Sequence, residues 1–130
     1  MKAKLLLADA AVGHPDGTFS LLRGGINRVE VPPNRPASLA GALLIRIEAT
    51  PSEKGEHTFK LVCIDEDGRS ILPDMTGKFS IPDQGGSVNI VIKLQVVFPR
   101  LGRYTFAVSV DGQELDVWLI SAVEKASDKK

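Results

Sequence analysis

A chain of 130 residues and 14.0 kDa has the size of one domain and can bury a hydrophobic core without staples. Sixteen basic residues balance sixteen acidic ones, which excludes the net positive charge that drives bulk attraction to nucleic acid or anionic membranes. A single cysteine, Cys63, excludes an intrachain disulfide and fits a reducing cytoplasm.

The first ten residues carry two lysines, a leucine run and an Ala-x-Ala triplet. The run stops at Asp9, short of the roughly 7 to 15 apolar residues of a signal peptide. No stretch approaches the roughly 20 apolar residues of a membrane-spanning helix. Further on, side chains alternate with period two. Leu43, Ile45 and Ile47 alternate with Leu44, Arg46 and Glu48; Val88, Ile90, Ile92, Leu94 and Val96 alternate with Asn89, Val91, Lys93 and Gln95. The same pattern holds for Phe59, Leu61 and Cys63, for Tyr104, Phe106, Val108 and Val110, and for Leu115, Val117 and Leu119. Eight strands are predicted, at about 3–12, 18–31, 41–49, 56–65, 69–80, 88–98, 102–110 and 113–122.

Asp16-Gly17, Asp67-Gly68 and Asp111-Gly112 each supply a turn pair that tolerates positive φ, so three hairpins are predicted. Gly24-Gly25 inside the second strand points to a bulge, a corner between sheets or close approach of another backbone. The Pro32-Pro33-Asn34-Arg35-Pro36 segment predicts an extended crossing between sheets. Short strands at this spacing imply a single all-β, antiparallel sandwich over residues 1–123, with a polar tail at 124–130.

Leu101-Gly102-Arg103-Tyr104-Thr105-Phe106 resembles the Gly-x-Tyr-x-apolar segment that opens a late strand of immunoglobulin-like domains, in which the tyrosine hydroxyl bonds nearby backbone. That resemblance implies a structural Tyr104. Phe106 stands where antibody domains place a cysteine, so only the broad architecture carries over. Leu6-Leu7-Ala8-Asp9-Ala10-Ala11, Leu21-Leu22-x-Gly24-Gly25, Gly55-Glu56-His57, Gly102-Arg103-Tyr104 and Val110-Asp111-Gly112 together resemble a family of small bacterial proteins of unknown function. This second resemblance implies an immunoglobulin-like β-sandwich and transfers no activity, cofactor or catalytic residue.

No catalytic residue is assigned. Cys63 has no base in reach, because three two-residue steps of extended chain put His57 roughly 20 Å away; a buried, inert thiol is expected. His14 and His57 lack a second ligand at metal spacing, and Asp65-Glu66-Asp67-Gly68 reads as a solvated hairpin tip in place of a calcium loop. Gly24-Gly25 lacks the Gly-Lys-Ser/Thr ending of a phosphate loop. No metal and no cofactor is therefore expected. Asp9, between apolar neighbours, requires an arginine or backbone donors.

The candidate contact residues are Trp118, placed on an outer face by its parity with Glu114 and Asp116, and Arg23 and Arg28, which with Arg35, Arg100 and Arg103 form a basic patch if their loops converge. Val62, Ile64, Val91, Val97, Trp118 and Ile120 make an outer face richer in apolar side chains than water favours. Such a face marks an interface or a covering segment. The expected function is a non-enzymatic protein-interaction or scaffold module, with an unknown protein partner or self-association and neither nucleic acid nor membrane. A small-molecule or catalytic site assembled around Asp9, Arg23, Arg28 and His57 is the alternative, and a carbohydrate-binding module using an exposed Trp118 the third.

Overall fold

The computed structural model describes residues 1–32 and 36–124. Among the described residues ten strands follow one another: β1 (Lys2–Ala8), β2 (Ala10–Gly13), β3 (Phe19–Leu22), β4 (Arg28–Val31), β5 (Ala37–Ala49), β6 (Gly55–Ile64), β7 (Met75–Ile81), β8 (Gly86–Phe98), β9 (Gly102–Val110) and β10 (Gln113–Glu124). A 3-10 turn, Pro51–Glu53, separates β5 from β6. A three-stranded sheet of order β1-β5-β8 packs on a five-stranded sheet of order β4-β10-β9-β6-β7, and β2 with β3 forms a separate hairpin. The architecture is an all-β sandwich. Its neighbouring strands are antiparallel except β4, which runs parallel to β10, so the larger sheet is mixed. Among the described residues no helix is long and apolar enough to cross a membrane.

Alternation builds the core. Leu43, Ile45 and Ile47 of β5 meet Leu61 and Cys63 of β6, Phe106 and Val108 of β9 and Ile120 of β10 in one buried cluster. Tyr104 closes one end of it: its hydroxyl donates to the Arg100 carbonyl at 2.7 Å and accepts from the Arg100 amide at 3.2 Å. The ring stacks obliquely on Phe98, 4.8 Å between centroids.

Ten strands replace the predicted eight because two of them are broken. At Asp9 the chain leaves one sheet for another: Ala8 still pairs with Ala42 of β5, whereas Ala10 pairs with Leu22 of β3. The departure is tight enough that a Cβ on Gly41 would lie 2.6 Å from the Ala8 carbonyl oxygen. The second break is at Gly24-Gly25, which is both a corner and a close approach, since Gly25 and Ile26 donate their amides to the Leu7 carbonyl at 2.8 and 3.1 Å. A third difference lies at 69–80, where only an isolated bridge links Ser70 to Ile64 and the strand begins at Met75, beyond Pro73.

The β2–β3 hairpin folds back as an arm over the outer face of the three-stranded sheet, with β2 against β5 and β8. Arg46 and Asn89 both donate to the Gly17 carbonyl, at 2.8 and 3.0 Å, and the Arg46 guanidinium lies 5.6 Å from the centre of the Phe19 ring. Leu44, on the polar phase of β5, is fully buried on this side.

In β10 the register against β9 slips between Glu114 and Asp116. This bulge inserts Leu115 and reverses the facing of every later side chain. The predicted tail begins one residue too early, because Glu124 is the last residue of β10; 125–130, and Pro33, Asn34 and Arg35, lie outside the described residues.

Candidate functional site

The bulge corrects the expected contact residues. Trp118 is turned inward: it packs against the core, and its indole Nε1 donates to the Ile26 carbonyl at 2.7 Å. It therefore serves as a brace between β10 and the corner leading into β4, and is partly buried. Ile120 is likewise buried. Val117 and Leu119 take the outer positions instead, 42% and 60% exposed. Across the five-stranded sheet they begin two neighbouring rows, Val117–Ala107–Val62 and Leu119–Thr105–Ile64. Val62 and Ile64 are half-buried. The rows form an apolar stripe over β10, β9 and β6.

Polar side chains rim the stripe. On one side Ser109 pairs with Glu114 and Lys60, and the Lys60 ammonium lies 3.2 Å from Asp74. On the other, Ser121 sits between Arg28 of β4 and Arg103 of β9. Of the remaining outer-face candidates, Val91 lies half-buried on the side covered by the arm, and Val97 is half exposed on β8.

The arginine needed by Asp9 is Arg23. Its Nε donates to Oδ2 at 2.7 Å and its terminal nitrogen to Oδ1 at 2.9 Å, a bidentate pair that pulls the Asp9 carboxyl below its usual range. Both side chains remain substantially exposed. Arg28 lines a shallow hollow with Arg23, so three of the four residues of the alternative site lie together, while His57 is bonded to Asp111 and the Glu53 carbonyl instead. Arg100 is held 3.4 Å from both Asp65 and Asp67. Asp65 folds back on its own turn, accepting from the Asp67 and Arg69 amides at 2.9 Å each. Among the described residues no three His, Cys, Asp or Glu side chains are grouped to hold a metal. Cys63 is sealed in the core, and burial pushes its thiol up to about 12.

A pair 54 residues apart in sequence escaped the sequence reading. His57 Nδ1 lies 2.6 Å from Asp111 Oδ2, and Nε2 lies 2.6 Å from the Glu53 carbonyl oxygen. The ring also stacks on Phe79. The Asp111 carboxylate holds the imidazole above its usual 6.5, with the Glu53 carbonyl adding to it. Asp111, bonded by His57 and by the Thr58 amide, is held below 3.8. Stability from the His57 proton is complete below about pH 6.5 and is lost as pH rises through the raised folded value. Stability from Asp111 is present above about pH 4 and lost as pH falls through its depressed folded value. The difference in melting temperature between the protein and His57→Gln is therefore expected to be largest from about pH 4 to 6.5 and to shrink by pH 8.5. Thermal melts at pH 5.5 and 8.5 check this; a difference constant across pH would contradict it.

Comparison with known proteins adds a family. Residues 4–122 match the profile of a family of unknown function, DUF6941. The chain belongs to that family. No curated protein matches it. Among solved structures, one from Bacteroides fragilis described as a "putative beta-galactosidase" is similar at a TM-score of 0.46 and 11% identity. The similarity covers 68% of this chain and 14% of that one, so this protein spans a small part of the length of the structure it matches.

Proposed function

We propose that this protein is a non-enzymatic, cytoplasmic protein-interaction or scaffold module with an immunoglobulin-like sandwich. The observation that carries the reading is the stripe of Val117, Leu119, Val62 and Ile64, an apolar surface set between charged and polar rims. Water does not favour it, and no other segment among the described residues forms a strand over that face. The Tyr104 bond to Arg100 supports the immunoglobulin-like assignment. The balanced charge and the lone buried Cys63 support the cytoplasmic one.

Leu119→Glu places a charge at the β10 end of the stripe on a side chain that is already exposed, so the fold is expected to survive it. Affinity enrichment of tagged protein and of Leu119→Glu from the native cytoplasm, read by mass spectrometry, tests the reading. A protein recovered in stoichiometric amount by the former and reduced at least about tenfold with the latter is the expected result. Equal recovery by both would refute the stripe as the contact face.

A further inference from the structure

Strand edges expose unpaired backbone donors and acceptors, and folded proteins blunt them. Three outer edges of the two large sheets show such devices. On β1 the Leu5 amide donates to Asp116 Oδ2 at 2.8 Å, while the Leu7 carbonyl is taken by the corner at Gly25 and Ile26. β4 has only four residues and is followed directly by Pro32. β7 is bounded by Pro73 and Pro82 and lined by charge, with Lys78 3.8 Å from Glu56 and Lys60 3.2 Å from Asp74.

The remaining edge, β8, is different. It runs thirteen residues without proline, and Lys93 is its only charged side chain. Among the described residues its backbone bonds only along the ladder with β5. On its core side Leu94, Val96 and Phe98 are buried, yet Val88, Ile90 and Ile92 are only partly covered. These three are apolar side chains facing the core at a border that no neighbouring strand completes.

We propose that β8 is a self-association edge, pairing antiparallel with β8 of a second copy about a two-fold axis at Ile92 to make one six-stranded sheet. The length of the strand and its single charge favour this occupant and this register. Ile92 is its midpoint, so the register uses the full length, from Gly86 opposite Phe98 of the second copy to the reverse. It sets Val88 against Val96, Ile90 against Leu94 and Ile92 against Ile92, supplying each half-covered side chain with an apolar neighbour. Lys93 then opposes Val91. Moving the axis one residue, onto Lys93, sets two like charges directly opposite, which is unfavourable. Isologous pairing of this kind closes at two copies. The surface is separate from the stripe on the five-stranded sheet and does not depend on its role.

Sedimentation velocity of the full chain over a concentration series tests the proposal, with the mass of two 14.0 kDa chains expected at the upper end. Ile92→Lys is expected to raise the dissociation constant roughly tenfold or more, and Leu119→Glu to leave it unchanged. Since Ile92→Lys also adds charge at a half-covered position, oxidative crosslinking supplies a second reading. Ile92→Cys brings two thiols directly opposite and is expected to give a covalent dimer. Lys93→Cys offsets them beyond the roughly 7 Å Cα separation that a disulfide spans and is expected to stay monomeric under the same oxidant. A single-chain mass at every concentration would overturn the proposal. So would a dimer lost in Leu119→Glu and kept in Ile92→Lys, which would assign self-association to the stripe.

Discussion

Truncating Phe106 to alanine is expected to remove about 3–5 kcal/mol of folding stability, a large part of the roughly 5–15 kcal/mol that a domain possesses. Phe106 is completely buried on the central strand β9, between Trp118 of β10 and Cys63 of β6. Its neighbours are strand-borne and locked by ladders on both sides, so they cannot collapse into the void, and the loss falls at the upper end for a large-to-small change. Denaturant unfolding should show a lower midpoint with an unchanged slope. A loss under 1 kcal/mol would mean that the two sheets do not meet at this residue.

Gly85→Ala is expected to cost about 2–5 kcal/mol, through backbone geometry instead of lost burial. Gly85 closes the Pro82–Gly85 turn that carries the chain from β7 to β8, and it sits at φ +76°, where an L side chain is strained. A Cβ there would also lie 2.8 Å from the Ala49 carbonyl oxygen and 2.9 Å from Pro51 N and the Thr50 carbonyl carbon. All three are main-chain atoms at the end of β5 and the start of the turn that follows it, and they cannot swing aside as a side chain would. The same unfolding measurement checks it, and a cost below 1 kcal/mol would show that the turn and the end of β5 are not in contact.

The parts of the fold legible in the sequence are those whose cause is local. Asp111-Gly112 joins β9 to β10 with both residues at positive φ, as a tight hairpin requires. Asp9 announced a partner, an arginine or backbone donors, and Arg23 is the one it has; Tyr104 announced its backbone bond through the Gly-x-Tyr pattern. The phase of β10 was not legible. Val117, Trp118, Leu119 and Ile120 are all apolar, so either facing satisfies the alternation, and only the one-residue bulge at Leu115 decides it. The outward-facing positions were consequently displaced by one residue, to Trp118 and Ile120 instead of Val117 and Leu119.

Long-range placement was equally hidden. Leu44 reads as solvent-facing until the β2–β3 arm is known to lie over its sheet. The parallel pairing of β4 with β10 joins segments more than ninety positions apart, and His57 meets Asp111 across 54. No periodicity encodes such pairs, because the closure that creates them depends on which strands neighbour each other.

The contact surface proposed for this protein is the outer face of the five-stranded sheet. Carbene footprinting of the protein alone and bound to the partner recovered by enrichment measures it residue by residue. Protection concentrated at Val62, Ile64, Val117 and Leu119, with the arm residues Val12 and Leu22 labelled equally in both states, is the predicted result. Labelling of the stripe unchanged by the partner, with protection elsewhere, would contradict it.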